Sequence, residues 1–397
     1  TDGNVRVTLD SYFYDKEKGI YSGNISDLVI ESTLTEPITL RAPVNFSYNL
    51  QKSTGSVGAV EITDTKTDIK IAETNISPNL IKTNLVVDGF DLNYLNVISP
   101  RNYNLSGRIY AEAFLKIVNG KVDVKSSITS SSGLIDIPNY HISYDSFGID
   151  LSFNQNKAAV KVKSSLSHND GDLDIDIGIR DPLSRKELFG RVNLTDLNLD
   201  LFAAAGGIFN QLQGKANIKG SLGGNLRTPL FFGDIKLIGA AEPHFNIGTI
   251  NDFDMHVHAN GDHGSLLGLI KINDGNLNLT GNLNWADGAN GKLEVKATSL
   301  PLFLLGYGES YVDIDTQAIL SDALYIRGHI NIPKARISVS SLESQAQNPS
   351  KDEIYIEHGG ADVLIAEHRQ RQAPIGMDIN LNINMGNDVM LDAMGLK

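Results

Sequence analysis

The stretch "LNLTGNLNWADGANGKLEVKAT", residues 277–298, decides how the rest of the chain is read. Leu277, Leu279, Leu283 and Trp285 occupy odd positions, with Asn278, Thr280, Asn282 and Asn284 between them. After the turn-forming Asp287-Gly288 and Asn290-Gly291, Leu293, Val295 and Ala297 alternate with Glu294, Lys296 and Thr298. Period-two alternation puts every apolar side chain on one face of a sheet. Gly281, which has no side chain, sits in the middle of that face. Something must cover the apolar face, and the glycine must have a use there.

The same alternation runs through most of the 397 residues. Val5, Val7 and Leu9 show it, as do Ile149, Leu151 and Phe153. It recurs at Leu173, Ile175, Ile177 and Ile179, at Phe253, Met255, Val257 and Ala259, and at Ile379, Leu381, Ile383 and Met385. Short alternating runs bounded by Gly, Asn and Asp predict one long antiparallel meander. The Asn and Asp between the apolar positions are poor strand formers, which fits a solvated outer face. In "LNLDLFAAAGGIFNQLQG", 197–214, three- and four-residue spacing predicts one short amphipathic helix near 199–212. "SLPLFLLGYGES", 299–310, has no clear period and reads as a buried loop or short helix. The longest loops are expected at 342–353 and 366–374. Neither has the composition of a linker, so residues 1–397 read as a single continuous β-groove domain.

Composition narrows the function classes. A net charge of −13 and a pI near 5.1 speak against nucleic acid, whose binding needs clustered Lys and Arg, and against electrostatic adhesion to anionic lipid surfaces. With no cysteine there is no disulfide, thiolate metal site or thiol nucleophile. No run of 18 apolar residues is present to span a bilayer as a helix, and the start at Thr1 reads as that of a fragment of something longer.

Chemical motifs are sparse. His256-x-His258, with His263 nearby, puts two imidazoles on the outer strand face without a third placed ligand. Asp170, Asp172, Asp174 and Asp176 read as a turn and solvated strand positions rather than a calcium loop, because the EF-hand glutamate is missing. No nucleophile elbow, P-loop or dinucleotide fingerprint occurs. The expectation is a protein that is not an enzyme and has no cofactor and no metal.

A degenerate repeat (apolar, any residue, Gly, polar, apolar) appears as "LSGRI" 105–109, "LFGRV" 188–192, "LQGKA" 212–216, "LTGNL" 279–283 and "IRGHI" 326–330. In every copy the glycine shares parity with the apolar residues, so Gly107, Gly190, Gly214, Gly281 and Gly328 are expected to point inward. Strand glycines mark bends or close approach. Two architectures satisfy such one-sided alternation: a sandwich, in which a second sheet covers the face, and a curled single layer, in which the face lines a groove. Sequence parity is the same for both. Roughly 25 strands spaced ~4.8 Å apart would give a sheet ~120 Å long, with far more apolar surface than a monomer normally exposes. The groove reading names Phe253, Met255, Val257, Leu277, Leu279, Leu283, Trp285, Leu293, Val295, Ile379, Leu381 and Ile383 as its lining, with the repeat glycines setting curvature. The occupants it suits are phospholipid acyl chains.

Three stretches, taken in order, resemble the TamB family: "LQGKANIKGSLGGNLRTPLFFGDIKLIGA" 212–240, "GHINIPKARISV" 328–339 and "INLNINMGNDVMLDAMGLK" 379–397. The resemblance is placed over residues 101–397, as a C-terminal region lacking the extreme C-terminus, and is weaker over residues 1–100 through "ITLRAPVNFSYN" 38–49. It implies an all-β fold, a long, twisted, mostly antiparallel sheet curled into a taco-like hydrophobic groove. It also implies a periplasmic location, with an N-terminal inner-membrane helix absent here. The implied role is phospholipid carriage between inner and outer membranes of a Gram-negative envelope, together with outer-membrane protein assembly beside a barrel partner, TamA. The fragment itself is expected to be monomeric. One alternative is a scaffold for barrel assembly by strand augmentation. A more distant one is a secreted β-helix adhesin or polysaccharide lyase.

Overall fold

The computed structural model describes residues 3–32, 35–97, 99–100, 102–138, 140–202, 209–243, 248–285, 288–304, 308–339 and 376–393. The loops expected at 342–353 and 366–374 lie outside them. Among the described residues the regular structure is strand apart from short 3-10 turns. The strands are β1 (Gly3–Asp15), β2 (Ile20–Ser32), β3 (Thr35–Leu40), β4 (Val44–Asn49), β5 (Thr54–Val57) and β6 (Val60–Thr63). Next come β7 (Asp68–Ile71), β8 (Thr74–Ser77), β9 (Leu80–Asp91), β10 (Asn104–Val118), β11 (Lys121–Ile137) and β12 (Tyr140–Phe153). They continue as β13 (Lys157–Leu166), β14 (Gly171–Arg180), β15 (Glu187–Asn198), β16 (Phe209–Gly224), β17 (Pro229–Pro243) and β18 (Ile250–Gly261). The last are β19 (His263–Ile272), β20 (Gly275–Asn284), β21 (Asn290–Leu304), β22 (Gly308–Leu320), β23 (Leu324–Val339) and β24 (Met377–Ala393).

By its internal contacts the chain groups into two compact units. The first is Thr1–Ala241 with Asp254–Gly264, and the second is Glu242–Phe253 with Ser265–Lys397. In the first, pairing is antiparallel from β1–β2 onward and from β9–β10 through β15–β16. Between β2 and β9 the strands are broken in two. β4, β5 and β8 form one short ladder, and β3, β6 and β7 form another. In the second unit β20 to β23 are antiparallel, and β24 pairs with β23 in parallel. That one parallel pairing leaves the sheet mostly antiparallel, as expected. A parallel neighbour needs a connection of a dozen or more residues, and 339 to 377 provides it.

Breaks and bulges interrupt each unit. In the first the breaks at Ala42-Pro43, Gly58-Ala59 and Ala72-Glu73 lead to β9 near Asn84 and β10 near Phe114, while register shifts at Gly107/Ile109, Tyr144/Ser146 and Leu194/Leu197 form a separate line. In the second they occur at Ala297/Leu300, Tyr311/Asp313 and Ile332/Lys334. Bulges bend the strand that carries them, so each line is a crease. The most buried side chains flank the creases: Ile38, Val44, Tyr144, Leu197 and Ala216 in the first unit, and Ala297, Leu300, Val312 and Ala335 in the second. The creased sheet buries them with no second sheet laid over the face among the described residues.

Two bulges show the local chemistry. Asp196 has φ 50° and its amide donates to Asn217 Oδ1 at 3.0 Å. Ser299 has φ 51° and its amide donates to Asp313 Oδ1 at 2.8 Å. The bulge at Ser299 also explains "SLPLFLLGYGES". The extra residue switches inward parity from odd (Leu293, Val295, Ala297) to even (Leu300, Leu302), and a run that switches parity has no period. Residues up to Leu304 therefore continue β21, and β22 begins at Gly308, rather than forming a buried loop or helix.

The helix expected near 199–212 is corrected as well. Leu199–Phe202 is a 3-10 turn, 203–208 lie outside the described residues, and Phe209 to Leu212 already belong to β16. That turn reaches back to β12, with Leu199 buried, and closes the creased end of the first unit.

Candidate apolar trough

Cross-strand register builds the site in the first unit. One inward row runs Leu115, Val124, Phe153, Ala158, Ile179, Leu188, each opposite the next on β10 to β15. A second runs Leu151, Val160, Ile177, Gly190, Leu222 on β12 to β16. Residues of these rows, with Leu226, line an open trough of about 570 Å³. Its walls are almost wholly apolar, yet Leu151 is 42% and Phe153 36% exposed. A small residue helps make the room: Ala158 stands in the first row where a larger side chain would fill the trough, whereas a Cβ on Gly190 would meet the Asp176 carbonyl oxygen and Ile177 of the neighbouring strand.

The creased end of the same strands is closed. Tyr144, 4% exposed, places its hydroxyl 3.1 Å from Ser130 Oγ. Its ring lies over the facing pair Gly107 and Gly133, where a Cβ on Gly107 would come within 2.8 Å of the Tyr144 hydroxyl. An aromatic ring laid over strand glycines stabilises a bent sheet. The trough therefore has a sealed end and an open one.

The repeat glycines differ among themselves. Gly107, Gly190, Gly214 and Gly328 have φ of 127°, 150°, 146° and 152°, a region that side-chain-bearing residues rarely adopt, whereas Gly281 is not among the positive-φ residues. At Gly214 a Cβ would run into the carbonyl oxygen of Ile238 and lie 2.7 Å from Gly239 Cα, so the neighbouring backbone occupies the side-chain position.

In the second unit the register brings most of the expected lining onto one face. Leu279, Val295, Thr316, Gly328 and Leu381 form one cross-strand row. Gly281, Leu293, Ala318, Ile326 and Ile379 form the next, and Leu277, Ala297, Ile314, Ile330 and Ile383 the third. Leu277, Leu279, Leu293, Val295 and Leu381 are half-buried, Leu283 is exposed, and Ile379 and Ile383 are each 56% exposed. Trp285 follows the end of β20 and is half-buried. Phe253 is buried in this unit, while Met255 and Val257 belong to the first unit and are half-buried between exposed His256 and His258. The trough residues Val124, Leu151, Phe153, Ala158, Val160, Ile177, Ile179, Leu188 and Leu222 were not among the expected lining. Their signal was the alternation at 149–153 and 173–179, interrupted by small residues.

His256 Nε2 and His258 Nδ1 both meet Asp234 Oδ1, at 3.1 and 2.9 Å, on the exposed outer face. The hydrogen bond from His258 holds the Asp234 carboxyl below the usual carboxylate range, against the opposing effect of desolvation. Among the described residues no group of three or more His, Asp or Glu is placed to hold a metal ion. No helix among them is long and apolar enough to cross a membrane.

A family model described as TamB, N-terminal domain, matches residues 2–237, more than half of the chain. The chain belongs to the TamB family. It is also similar to the translocation and assembly module subunit TamB of Haemophilus influenzae, 31% identical over 246 residues. That match covers 58% of this chain and 18% of the relative, so the chain spans about a fifth of the length of the protein it resembles. No solved structure matches. The family match includes the first hundred residues, where the resemblance read from sequence was weaker, and its description is N-terminal rather than C-terminal.

Proposed function

We propose that this TamB-family chain is a segment of a periplasmic hydrophobic conduit that carries phospholipids between the inner and outer membranes. Within the full-length protein, held in the inner membrane by an N-terminal helix, it would serve the translocation and assembly module beside the barrel partner TamA. The observation that carries the reading is the open apolar trough, whose inward rows remain solvent-accessible in a folded sheet. Moving an acyl chain through water costs about 0.8 kcal/mol per exposed CH₂, so a diacyl lipid faces a barrier on the order of 20 kcal/mol. A lining of Leu, Ile, Val, Phe and Ala removes most of that cost, because hydrophobic attraction is non-directional and accepts any tail. Nothing in this role requires catalysis. The test is native mass spectrometry of the purified chain. Co-purified phospholipid that is lost in Leu151→Arg supports the reading, and a lipid-free chain in both forms overturns it.

A second reading, strand augmentation of barrel clients, is favoured by β24. This strand pairs only with β23 among the described residues and exposes Met377, Ile379, Ile383 and Met385. An uncovered edge can add a client strand. Crosslinks from β24 to nascent barrel proteins, with none to lipid from the trough, would move the assignment there.

A further inference from the structure

The open end of the trough carries a charge pattern opposite to that of the chain. Three consecutive turns border it: 154–156 between β12 and β13, 181–186 between β14 and β15, and 225–228 between β16 and β17. They are stitched together. The Asp181 amide donates to Asn156 O at 2.8 Å and the Leu226 amide to Lys186 O at 3.3 Å, and Glu187 bridges to Asn225. All three turns are also internally braced, the first by the Asn156 and Lys157 amides donating to Asn154 Oδ1. The amides of Ser184 and Lys186 donate to Asp181 O, and those of Arg227 and Thr228 to Asn225 Oδ1.

On this stitched edge stand five cations, Lys157, Arg180, Arg185, Lys186 and Arg227, against two carboxylates, Asp181 and Glu187, in a chain of net charge −13. Lys186 and Arg227 form no ion pair among the described residues. Arg185 reaches Glu187 only at 3.7 Å, with both side chains exposed. Lys157 and Arg180 sit over the Phe189 ring, 5.0 and 4.8 Å from its centroid, rather than against carboxylates. The same turns expose two leucines, Leu183 at 75% and Leu226 at 52%, and Leu226 also lines the trough. The other end of these strands carries Asp170, Asp172, Asp196 and Asp200, with Lys215 donating to Asn169 O.

A fixed edge of uncompensated cations beside exposed leucines, opening directly into an apolar trough, matches an amphiphile with an anionic head. We propose that this lip binds the phosphate-bearing headgroup of an anionic phospholipid whose acyl chains lie in the trough. The inference rests on the trough reading above and adds headgroup selection to it. Guanidinium groups match phosphate oxygens in bidentate geometry, and long cationic side chains reach from an outer strand face over its rim. The overall negative charge does not oppose this, because interactions beyond about 8–10 Å are screened at physiological ionic strength. The lip therefore acts as a local positive site.

The experiment presents the purified full chain with equimolar mixed vesicles of phosphatidylglycerol and phosphatidylethanolamine and reads the captured lipids by native mass spectrometry. Wild type is compared with Arg185→Gln/Lys186→Gln/Arg227→Gln and with Leu151→Arg. The proposal expects phosphatidylglycerol to be enriched at least about fivefold by wild type, a ratio that falls to about one in the triple variant and at high salt. Equal capture of both lipids by wild type, or enrichment that survives in the triple variant, overturns the lip while leaving the trough in place. Capture of neither lipid by wild type overturns the trough and the lip together. Circular dichroism of the triple variant, whose substitutions are all at exposed turn positions, verifies that it is folded.

Discussion

The two units solve the same problem with different residues. Each is a creased sheet whose inward rows are buried at the crease and open beyond it. In the second unit the crease is filled by Ile272, Ala297 and Leu300, with Leu300 only 1% exposed. In the first it is filled by Tyr144 laid over glycines and hydrogen-bonded to Ser130. Their open ends differ in charge. The turns of the first carry Arg185, Lys186 and Arg227, with Lys157 and Arg180 at the strand ends beside them, whereas the described turn between β22 and β23 carries Asp322 and no cation. In the second unit Arg327 is engaged by Asp378 at 2.7 Å and Lys292 by Glu294 at 2.7 Å. The comparison teaches that burial at the crease holds the fold, while the open rows and their rims stay exposed.

The comparison breaks most visibly at Leu300 and Leu151. Leu300→Ala should cost about 2–5 kcal/mol of unfolding free energy by opening a cavity at the crease, whereas Leu151→Ala, half-solvated, should cost under about 1 kcal/mol. Urea titration of both variants checks this, and equal losses would mean that the trough is a packed core. Next in size are the glycines. Gly214→Ala forces a side chain into positive φ and against Ile238, for about 1–3 kcal/mol. Gly281→Ala, with a Cβ 3.1 Å from Lys292 O and no positive φ, should cost less than about 1 kcal/mol. Thermal melts of the pair test whether the repeat glycines are equivalent. Tyr144→Phe should follow, at about 1 kcal/mol, by removing the hydroxyl partner of Ser130.

The smallest effect separates the two bulges by pH. The Ser299 amide and the Asn331 side chain both donate to Asp313 and hold its carboxyl below 3.8. A lowered folded value means that the contribution is present above the unfolded value and fades as pH falls through the folded one, below about pH 4. The matching bulge at Asp196 is braced by Asn217, whose amide does not titrate. Hydrogen exchange at pH 6 and pH 3 should show the Ser299 amide losing protection and the Asp196 amide keeping its own. Asp313→Asn should abolish the difference.

Much of this architecture was legible in residue parity. Leu277, Leu279, Leu293 and Val295 share a face in the structure because a two-residue period admits no other arrangement. The creases were not legible, since one inserted residue such as Ser299 inverts parity and makes the following strand look aperiodic. The parallel β24 was hidden for a related reason: parallel and antiparallel neighbours present the same alternation. The spacing of Leu201, Ile208 and Leu212 imitates a helix, but strand pairing from Phe209 onward decides the conformation there. The trough in the first unit escaped because its room comes in part from what is small, Ala158, while the sequence draws attention to what is large. The cationic lip escaped because net charge averages over the whole chain, and only the stitched turns bring Arg185, Lys186 and Arg227 to one edge.

The central claim is that the inward rows carry acyl chains and the outward ones do not. A photoactivated crosslinker placed in turn at Leu151, Asp150, Leu279 and Asn278 in cells reads that face by face. Lipid adducts from Leu151 and Leu279, with none from Asp150 and Asn278, are the predicted result. Adducts from the outward positions, or equal yields from both faces, would contradict it.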